Sequence, residues 1–464
     1  MESNKIINEH DGYSVLKSSS DESDNESSSD ESDNESSSDT DDSDSELSSD
    51  DEMDEEDEID IKGKIIDGKY IILYKLGGGI STVWLSYHIH EKKYYAIKVL
   101  NKKKKDEDDD DSEDNDEDDE LGYLKKINKG KCPYLNKFVR YFEYHENGET
   151  YLCIVFDLMA GSLYDVMKTG KYKNGLPVDV VRRVTYQLLI AMDELNNKHK
   201  LLHTDIKPEN ILVVGISKRI QTVINKFESL NIHPIWTKGT KWKKGTNAKK
   251  KWQTIANMVI STDFDVDNNE SDKCAIDEKY IENNILTQLS DFGNCCELDD
   301  EIPYEIQTRY YMAPEVLLEY DLNIKCDMWS VGCVIYELLT GEMLFDPDKT
   351  RGFNRDRHHL YDIQTALGLI PENLIKKSKK RKLFFRNNGL LKGTYKIKYE
   401  PLYKKLAELN GNNNMNNTEL LLITDLMYKL FQYDSNDRPT PRECKNHEWF
   451  NSLHKKKKKK HKNK

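Results

Sequence analysis

The chain has 464 residues and a formal net charge of −15, with 33% charged and 37% hydrophobic residues. The charge is concentrated at the ends, because residues 1–61 carry 25 acidic residues against two lysines, whereas the last ten residues carry eight lysines. No run of 18 apolar residues is present, which excludes a membrane-spanning helix, and the eight cysteines lack C-x-x-C spacing, which disfavours zinc sites and a disulfide framework and favours a reducing compartment, the cytosol or the nucleus.

The N-terminal segment 1–61 is predicted to be a disordered acidic arm. A nine-residue repeat rich in Ser, Asp and Glu begins at Ser18 and again at Ser27, and a degraded copy begins at Ser36. Such sequence buries too little apolar surface to offset the entropy of an ordered chain. We interpret it as a solvating arm, with phosphorylation of its serines as the alternative. Its first residues are polar, so no secretory signal is expected.

Periodic structure begins near Lys62. Runs of β-branched, aromatic and apolar residues predict strands within 70–85 and at 94–100 and 151–157. Apolar residues at helical spacing predict helices over 180–199, 327–340 and 419–432. Because strands dominate the first part and helices the second, the pattern indicates an α+β protein with a small β-rich lobe and a large α-rich lobe.

Three segments interrupt or follow this pattern. Residues 106–119 form an acidic insertion, which we expect to be a loop. Residues 216–287 combine Lys-rich and acidic stretches, and we interpret most of them as a loop-like spacer insertion in the second lobe. The Lys-rich tail, residues 455–464, is either a solvated end or a segment for nuclear import or polyanion binding.

The strongest chemical signal is the octapeptide H-T-D-I-K-P-E-N at 203–210, which precedes an apolar run. Transfer of a phosphoryl group to a hydroxyl needs an acceptor for the hydroxyl proton, a counter-charge for the γ-phosphate and ligands for Mg²⁺. Asp205 suits the first role, Lys207 the second and Asn210 the third. A second carboxylate for Mg²⁺ is available downstream at Asp291, in the tripeptide D-F-G.

Three motifs follow one another along the chain: the 203–210 octapeptide, D-F-G at 291–293 and A-P-E at 313–315. Their occurrence in this order is highly specific for one protein family. Over about 62–454 the chain resembles the eukaryotic protein kinase family. The resemblance implies the two-lobed kinase fold, the cofactors ATP and Mg²⁺, and a protein substrate. The alternative from another class is a pseudokinase, a scaffold that binds partners without phosphoryl transfer.

The resemblance also implies how the nucleotide is held. Lys98, in Y-A-I-K, would pair with the α- and β-phosphates and with a helix glutamate, for which we choose Glu120 over Glu117. The backbone of Asp157 and Met159, in the hinge segment at 156–161 that joins the two lobes, would form hydrogen bonds with adenine. The glycine-rich loop, one residue shorter than the family pattern, comprises Leu76, Gly77, Gly78, Gly79, Ile80, Ser81, Thr82 and Val83.

Within the family, the chain resembles the SR-protein kinases, which phosphorylate Arg/Ser-rich splicing factors. The likeness lies in H-T-D-I-K-P-E-N-I-L, in S-T-V-W-L at 81–85, in I-Q-T-R at 306–309 and in the place of the spacer. Lys207 and Thr308 are typical of the serine/threonine class. The chain departs from the family where docking carboxylates would fall, near His358 and Thr365.

These features predict the partners and the setting of the protein. The substrates would be proteins, with basic Arg/Ser-containing segments as candidates, and phosphorylation would target Ser or Thr. The neutral body between arm and tail shows no RNA-binding motif, so neither nucleic-acid recognition nor membrane binding is expected. We expect a monomer. Abundant Asn, Lys and Ile are compatible with a viral protein that acts in a host cell.

Overall fold

A computed structural model describes the chain with several gaps. The described residues are 59–78, 81–101, 119–168, 170–232, 246–264, 276–348, 354–393, 397–409 and 415–454. The predicted acidic insertion lies outside them except for Asp119, and the predicted Lys-rich tail lies outside them entirely. Of the predicted acidic arm, residues 59–61 are described.

The N-terminal part of the described chain is an antiparallel sheet with the strand order β1-β2-β3-β4-β6-β5. Its strands are β1 (Ile65–Ile66), β2 (Tyr70–Gly77), β3 (Thr82–His88), β4 (Lys93–Asn101), β5 (Phe138–Glu146) and β6 (Glu149–Asp157). Helix α1 (Asp119–Asn128) lies between β4 and β5 in the chain. The three predicted strand regions are confirmed.

Strand β2 is apolar on both faces, which requires cover on both sides of the sheet. Successive strand residues point to opposite faces, and Tyr70 and Ile72 belong to one buried cluster while Ile71 and Leu73 belong to another. All four side chains are fully buried. The small lobe therefore has two cores, one on each face of its sheet.

The boundary predicted for the acidic arm is wrong by a few residues. Ile61 is fully buried, and Ile59 packs against the same cluster as Tyr70 and Ile72. The physical reason is the alternation of apolar residues around Asp60, which continues a strand-like pattern into the end of an acidic segment. The packed body thus includes at least residues 59–61.

The second part of the chain is helical and confirms the predicted large lobe. Its strands are β7 (Met159–Ser162), β8 (Leu201–Leu202), β9 (Ile211–Val214), β10 (Thr287–Leu289) and β11 (Cys296–Glu297). Its helices outside the spacer are α2 (Leu163–Lys168), α3 (Val178–Glu194), α7 (Pro314–Leu318), α8 (Cys326–Thr340), α9 (Arg355–Leu367), α10 (Glu372–Lys377), α11 (Arg381–Phe384), α12 (Leu402–Leu409), α13 (Asn417–Leu430) and α14 (Pro441–Cys444). The predicted helices correspond to α3, α8 and α13.

Helices α3 and α8 form the centre of the large lobe. The apolar stripe predicted on α3 is buried throughout, at Val181, Val184, Leu188 and Met192 and at Leu195, the residue that follows the helix. Every residue of α8 is buried, as expected for a helix that is largely apolar all round.

A buried ion pair fixes the A-P-E segment at 313–315 to this centre. Arg438 Nη2 lies 2.6 Å from Glu315 Oε2, and both side chains are fully buried. The Arg438 guanidinium also lies 5.2 Å from the ring centroid of Trp329 on α8. Removing one partner of such a pair would leave a buried charge without compensation.

The prediction that the spacer, residues 216–287, is mostly loop-like is wrong for its described part. That part contains the helices α4 (Lys218–Ser229), α5 (Thr246–Ser261) and α6 (Glu278–Asn284). Helix α4 carries apolar residues at positions i, i+3, i+4 and i+7, which is the pattern of an amphipathic helix. These residues are Ile220, Val223, Ile224 and Phe227, and all four are buried.

The spacer helices cover the outer face of the small-lobe sheet. Phe227 packs on Tyr87 of β3, with 5.2 Å between ring centroids, and Tyr94 Oη donates a hydrogen bond of 3.0 Å to Glu228. From α5, Ile255 and Val259 join the same buried cluster as Ile71 and Leu73. The spacer therefore supplies the second cover that β2 requires.

Candidate active site

The backbone of the 203–210 loop is held by a carboxylate at the start of α8. The backbone N–H groups of His203 and Thr204 donate hydrogen bonds of 3.0 and 3.1 Å to Asp327. Asp327 is buried, and burial raises its pKa to about 6, against the lowering effect of His203 and of the two backbone donors. Thr204 adopts a left-handed φ of 66°, which β-branched residues rarely adopt and which these contacts fix.

Asp205 lies at the centre of a hydrogen-bonded cluster. Thr308 Oγ1 donates a bond of 2.6 Å to Asp205 Oδ1, and Asn210 Nδ2 donates one of 3.0 Å to Oδ2. Lys207 Nζ lies 2.8 Å from Asp205 Oδ2 and donates to Thr308 Oγ1 at 2.9 Å. Burial opposes ionisation of Asp205, but Lys207 and the Thr308 hydroxyl outweigh it and hold the pKa of Asp205 below its ordinary value.

A second cluster joins three separate elements around Lys98. From strand β4, Lys98 Nζ lies 2.8 Å from both carboxylate oxygens of Glu120 on α1 and 2.9 Å from Asp291 Oδ1. Burial favours the neutral amine, yet the two carboxylates raise the pKa of Lys98 above its ordinary value. The lysine is therefore a fixed cation, paired with the glutamate that the sequence analysis had chosen.

Between the two lobes lies a cavity of about 590 Å³. It brings together most of the residues predicted to bind the cofactor or the metal: Leu76, Gly77, Gly78, Ser81, Val83, Lys98, Glu120, Asp157, Met159, Asn210 and Asp291. Gly79 and Ile80 lie outside the described residues. Thr82 does not line the cavity, because it is buried and its hydroxyl accepts a hydrogen bond of 3.0 Å from Trp84 Nε1.

Asn210 and Asp291 both line the cavity, and their side chains carry oxygen atoms of the kind that a hard cation binds. Within the described part of the chain, Asn210 donates hydrogen bonds through Nδ2 to the backbone oxygen and the carboxylate of Asp205, which leaves its amide oxygen available. Carboxylate and amide oxygens are the ligands that Mg²⁺ accepts, with phosphate oxygens and water completing the shell. Among the described residues no group of three His, Cys, Asp or Glu could hold a metal by itself.

The cavity wall also includes residues that were not predicted from the sequence to belong to the site. Ser217, Arg219 and Ile220 come from the spacer, and Glu209 comes from the catalytic loop itself. Glu209 Oε2 is buried without a hydrogen-bond partner in the described part of the chain, and burial raises the pKa of Glu209. The helical spacing that begins at Ile220 was the signal that could have located the spacer residues.

Comparisons with known proteins agree with this geometry. A model of the protein kinase domain matches residues 70–223 and 278–450. A relative from Acanthamoeba polyphaga mimivirus, named as a candidate serine/threonine-protein kinase, is 30% identical over 71% of this chain and 78% of its own. The serine/threonine-protein kinase SRPK of Physarum polycephalum is 27% identical over 84% and 87%. The protein kinase dsk1 of Schizosaccharomyces pombe is 25% identical over 73% of each chain.

The match to the protein kinase domain covers both lobes and leaves out residues 224–277, which lie within the spacer. The names of the relatives support catalysis rather than the pseudokinase alternative. None of the helices in the described ranges has the length and apolar character needed to cross a membrane. The chain belongs to the protein kinase family, and it is a serine/threonine protein kinase that resembles the SR-protein kinases.

Proposed function

We propose that this kinase uses ATP and Mg²⁺ and that Asp205 is its catalytic base. The observation that carries the proposal is the cluster around Asp205, which keeps the carboxylate ionised next to the cavity. An ionised carboxylate in this position can accept the proton of a substrate hydroxyl. Lys207 neutralises charge that develops on the transferred group, and Thr308 holds both side chains in place.

The remaining residues of the site bind and orient the nucleotide. ATP supplies the phosphoryl group, and Mg²⁺ neutralises its negative charge. Asn210 and Asp291 would hold the metal, since both line the cavity with oxygen ligands. Lys98, fixed by Glu120, would bind phosphate oxygens. The glycine-rich loop from Leu76 to Val83 would cover the phosphates, and the backbone of Asp157 and Met159 would bond adenine.

Replacement of the base tests the assignment. Asp205→Ala should lower kcat by roughly 10²- to 10⁴-fold, the usual contribution of a general base, while nucleotide binding measured by calorimetry is retained. Asp299→Ala is the matched control, because Asp299 is an exposed carboxylate outside the site, and it should keep the parental rate. An Asp205→Ala enzyme that phosphorylates peptide as fast as the parent would refute the role of Asp205.

For the substrate, we propose Ser in basic, Arg-containing segments. A guanidinium is bound specifically when it meets a carboxylate, ideally in a bidentate pair. Glu209, in the catalytic loop, offers a carboxylate oxygen that has no hydrogen-bond partner among the described residues. On α9, Asp356 is already paired with Arg309, and His358 Nε2 lies 3.6 Å from Asp362. Spacing rules looser than those of processive docking are therefore expected.

A peptide array tests this preference. Ser flanked by Arg should be phosphorylated faster than Ser flanked by Ala or by Glu. Glu209→Gln should reduce the advantage of Arg-flanked peptides and leave Ala-flanked peptides nearly unaffected. Faster phosphorylation of Ser with acidic flanks than of Ser with Arg flanks would contradict the proposed specificity. Such a result would leave the role of Asp205 unaffected.

The proposed setting is a monomer in a reducing compartment, cytosolic or nuclear, without direct recognition of nucleic acid. The cysteines of the described residues are all free, which supports a reducing environment. The relative from mimivirus supports a viral origin and activity in a host cell. Gel filtration with light scattering tests the monomer, and a dimer at micromolar concentration would contradict it.

A further inference from the structure

The spacer contributes a cation to the wall of the nucleotide cavity. Helix α4 begins at Lys218, close after β9, and its second residue, Arg219, lines the cavity with Ser217 and Ile220. The charged residues of the cavity wall include two cations, Lys98 and Arg219. Lys98 is already paired with two carboxylates. The two cations therefore differ in how many N–H donors they leave available to a ligand.

The guanidinium of Arg219 is held but only partly used. It lies 5.2 Å from the ring centroid of Tyr74 and donates a hydrogen bond to the Tyr74 hydroxyl. Within the described ranges no carboxylate pairs with it. Because a guanidinium has five N–H donors in a rigid fork, most of the Arg219 donors remain for a ligand.

The register of the sheet places Arg219 at the adenosine end of the cavity. Gly77 pairs with Val83 at the glycine-rich turn, whereas Tyr74, the partner of Arg219, pairs with Leu85 further along β3. Three strand residues span about 10 Å. Since the glycine-rich loop covers the phosphates, Arg219 lies well away from them.

Beside Tyr74 and Arg219, the cavity offers apolar surface for a purine. Ala96 pairs with Leu85, the residue opposite Tyr74 on β3, and Leu212 lines the cavity from β9. Arg219 adds charged N–H donors to this wall, and the ribose hydroxyls of a nucleoside accept hydrogen bonds from such donors.

We infer that Arg219 is a nucleotide-binding residue that donates hydrogen bonds to the ribose hydroxyls of ATP. Tyr74 holds the guanidinium at the cavity wall through its ring and its hydroxyl, and packing of α4 on β2 and β3 keeps the helix start in place. The spacer thereby sets the preference of the enzyme for ribonucleotides. This inference rests on the proposed ATP site.

Steady-state kinetics with ATP and 2′- or 3′-deoxy-ATP test the inference at a fixed, saturating peptide concentration. Arg219→Ala should raise the KM for ATP by roughly 10- to 100-fold, the effect of one lost hydrogen bond from a charged donor, with little change in kcat. At the same time, the preference for ATP over at least one deoxy analogue should fall towards unity. Lys218→Ala, at an exposed neighbour on the same helix turn, should change neither quantity.

Two further outcomes separate this role from others. Tyr74→Phe removes the hydroxyl that accepts the hydrogen bond of Arg219, so it should lower the preference for ATP over the deoxy analogues in the same direction as Arg219→Ala, but by less. The inference is overturned if Arg219→Ala leaves the KM for ATP unchanged or raises it without reducing that preference. If the parent enzyme transfers no phosphate from ATP at all, the proposed function fails instead.

Discussion

Phe227 provides the sharpest test of the spacer as a structural part of the small lobe. Its ring is 2% exposed and packs between Tyr87, at 5.2 Å, and Tyr94, at 6.3 Å between ring centroids. A Phe→Ala change in such a core costs about 3–5 kcal/mol, from lost burial and the cavity that remains. At about 2.1 cal/mol/K of unfolding entropy per residue and about 400 residues in the folded body, this lowers Tm by about 4 to 6 °C.

Differential scanning calorimetry of Phe227→Ala measures this change directly. Asn225→Ala is the matched control, since Asn225 is exposed on the opposite side of the same helix, and surface changes of this kind usually stay within about 0.5 kcal/mol. If Phe227→Ala melts within 1 °C of the control, α4 does not pack on the sheet, and the second core of the small lobe is wrong.

Three other predictions concern pH, regulation and the arm. Burial raises the pKa of Glu337 from 4.5 to about 7, so its contribution to stability is complete below pH 4.5 and is lost as pH rises through 7. At 1.36 kcal/mol per pKa unit, the free energy of unfolding should fall by about 3 kcal/mol over this range. Denaturation at pH 5 and 8 should therefore show a smaller difference in stability for Glu337→Gln than for the parent. Because Lys126 on α1 already pairs with Glu297 in the activation segment, which runs from D-F-G to A-P-E at 291–315, phosphatase treatment should leave the rate unchanged, and a large loss would show that an activating phosphate is needed. Deleting residues 1–58 should leave Tm nearly unchanged, whereas deleting 1–61 should lower it by removing buried Ile61; equal values for the two truncations would contradict the revised boundary.

The catalytic loop and the main helices could be predicted because their signals are local. The octapeptide at 203–210 places its chemistry within a few residues, and α3 shows its buried stripe in its own sequence. The partner of Lys98 was harder, since 22 positions separate it from Glu120. Only the family resemblance and a short run of helical spacing pointed to that glutamate.

The spacer was misjudged because its composition masked its periodicity. Long Lys-rich and acidic stretches dominate residues 216–287, and the four apolar positions of α4 occupy a single short window. Its contact with the sheet is a long-range feature that no local pattern gives. One indirect signal existed, since β2 is apolar on both faces and such a strand must pack against another element on each face. The position of Arg219 in the cavity wall follows from this contact and could not be predicted from the sequence either.

The place where the chain passes between the lobes constrains how they can move. The hinge ends in β7, and the passage to α4 leaves from β9; these two strands are hydrogen-bonded neighbours, with Met159 opposite Val214. These two connections lie side by side because their strands belong to one sheet. Opening of the lobes about an axis near β7 and β9 leaves both connections intact, and we expect interlobe motion to be centred there.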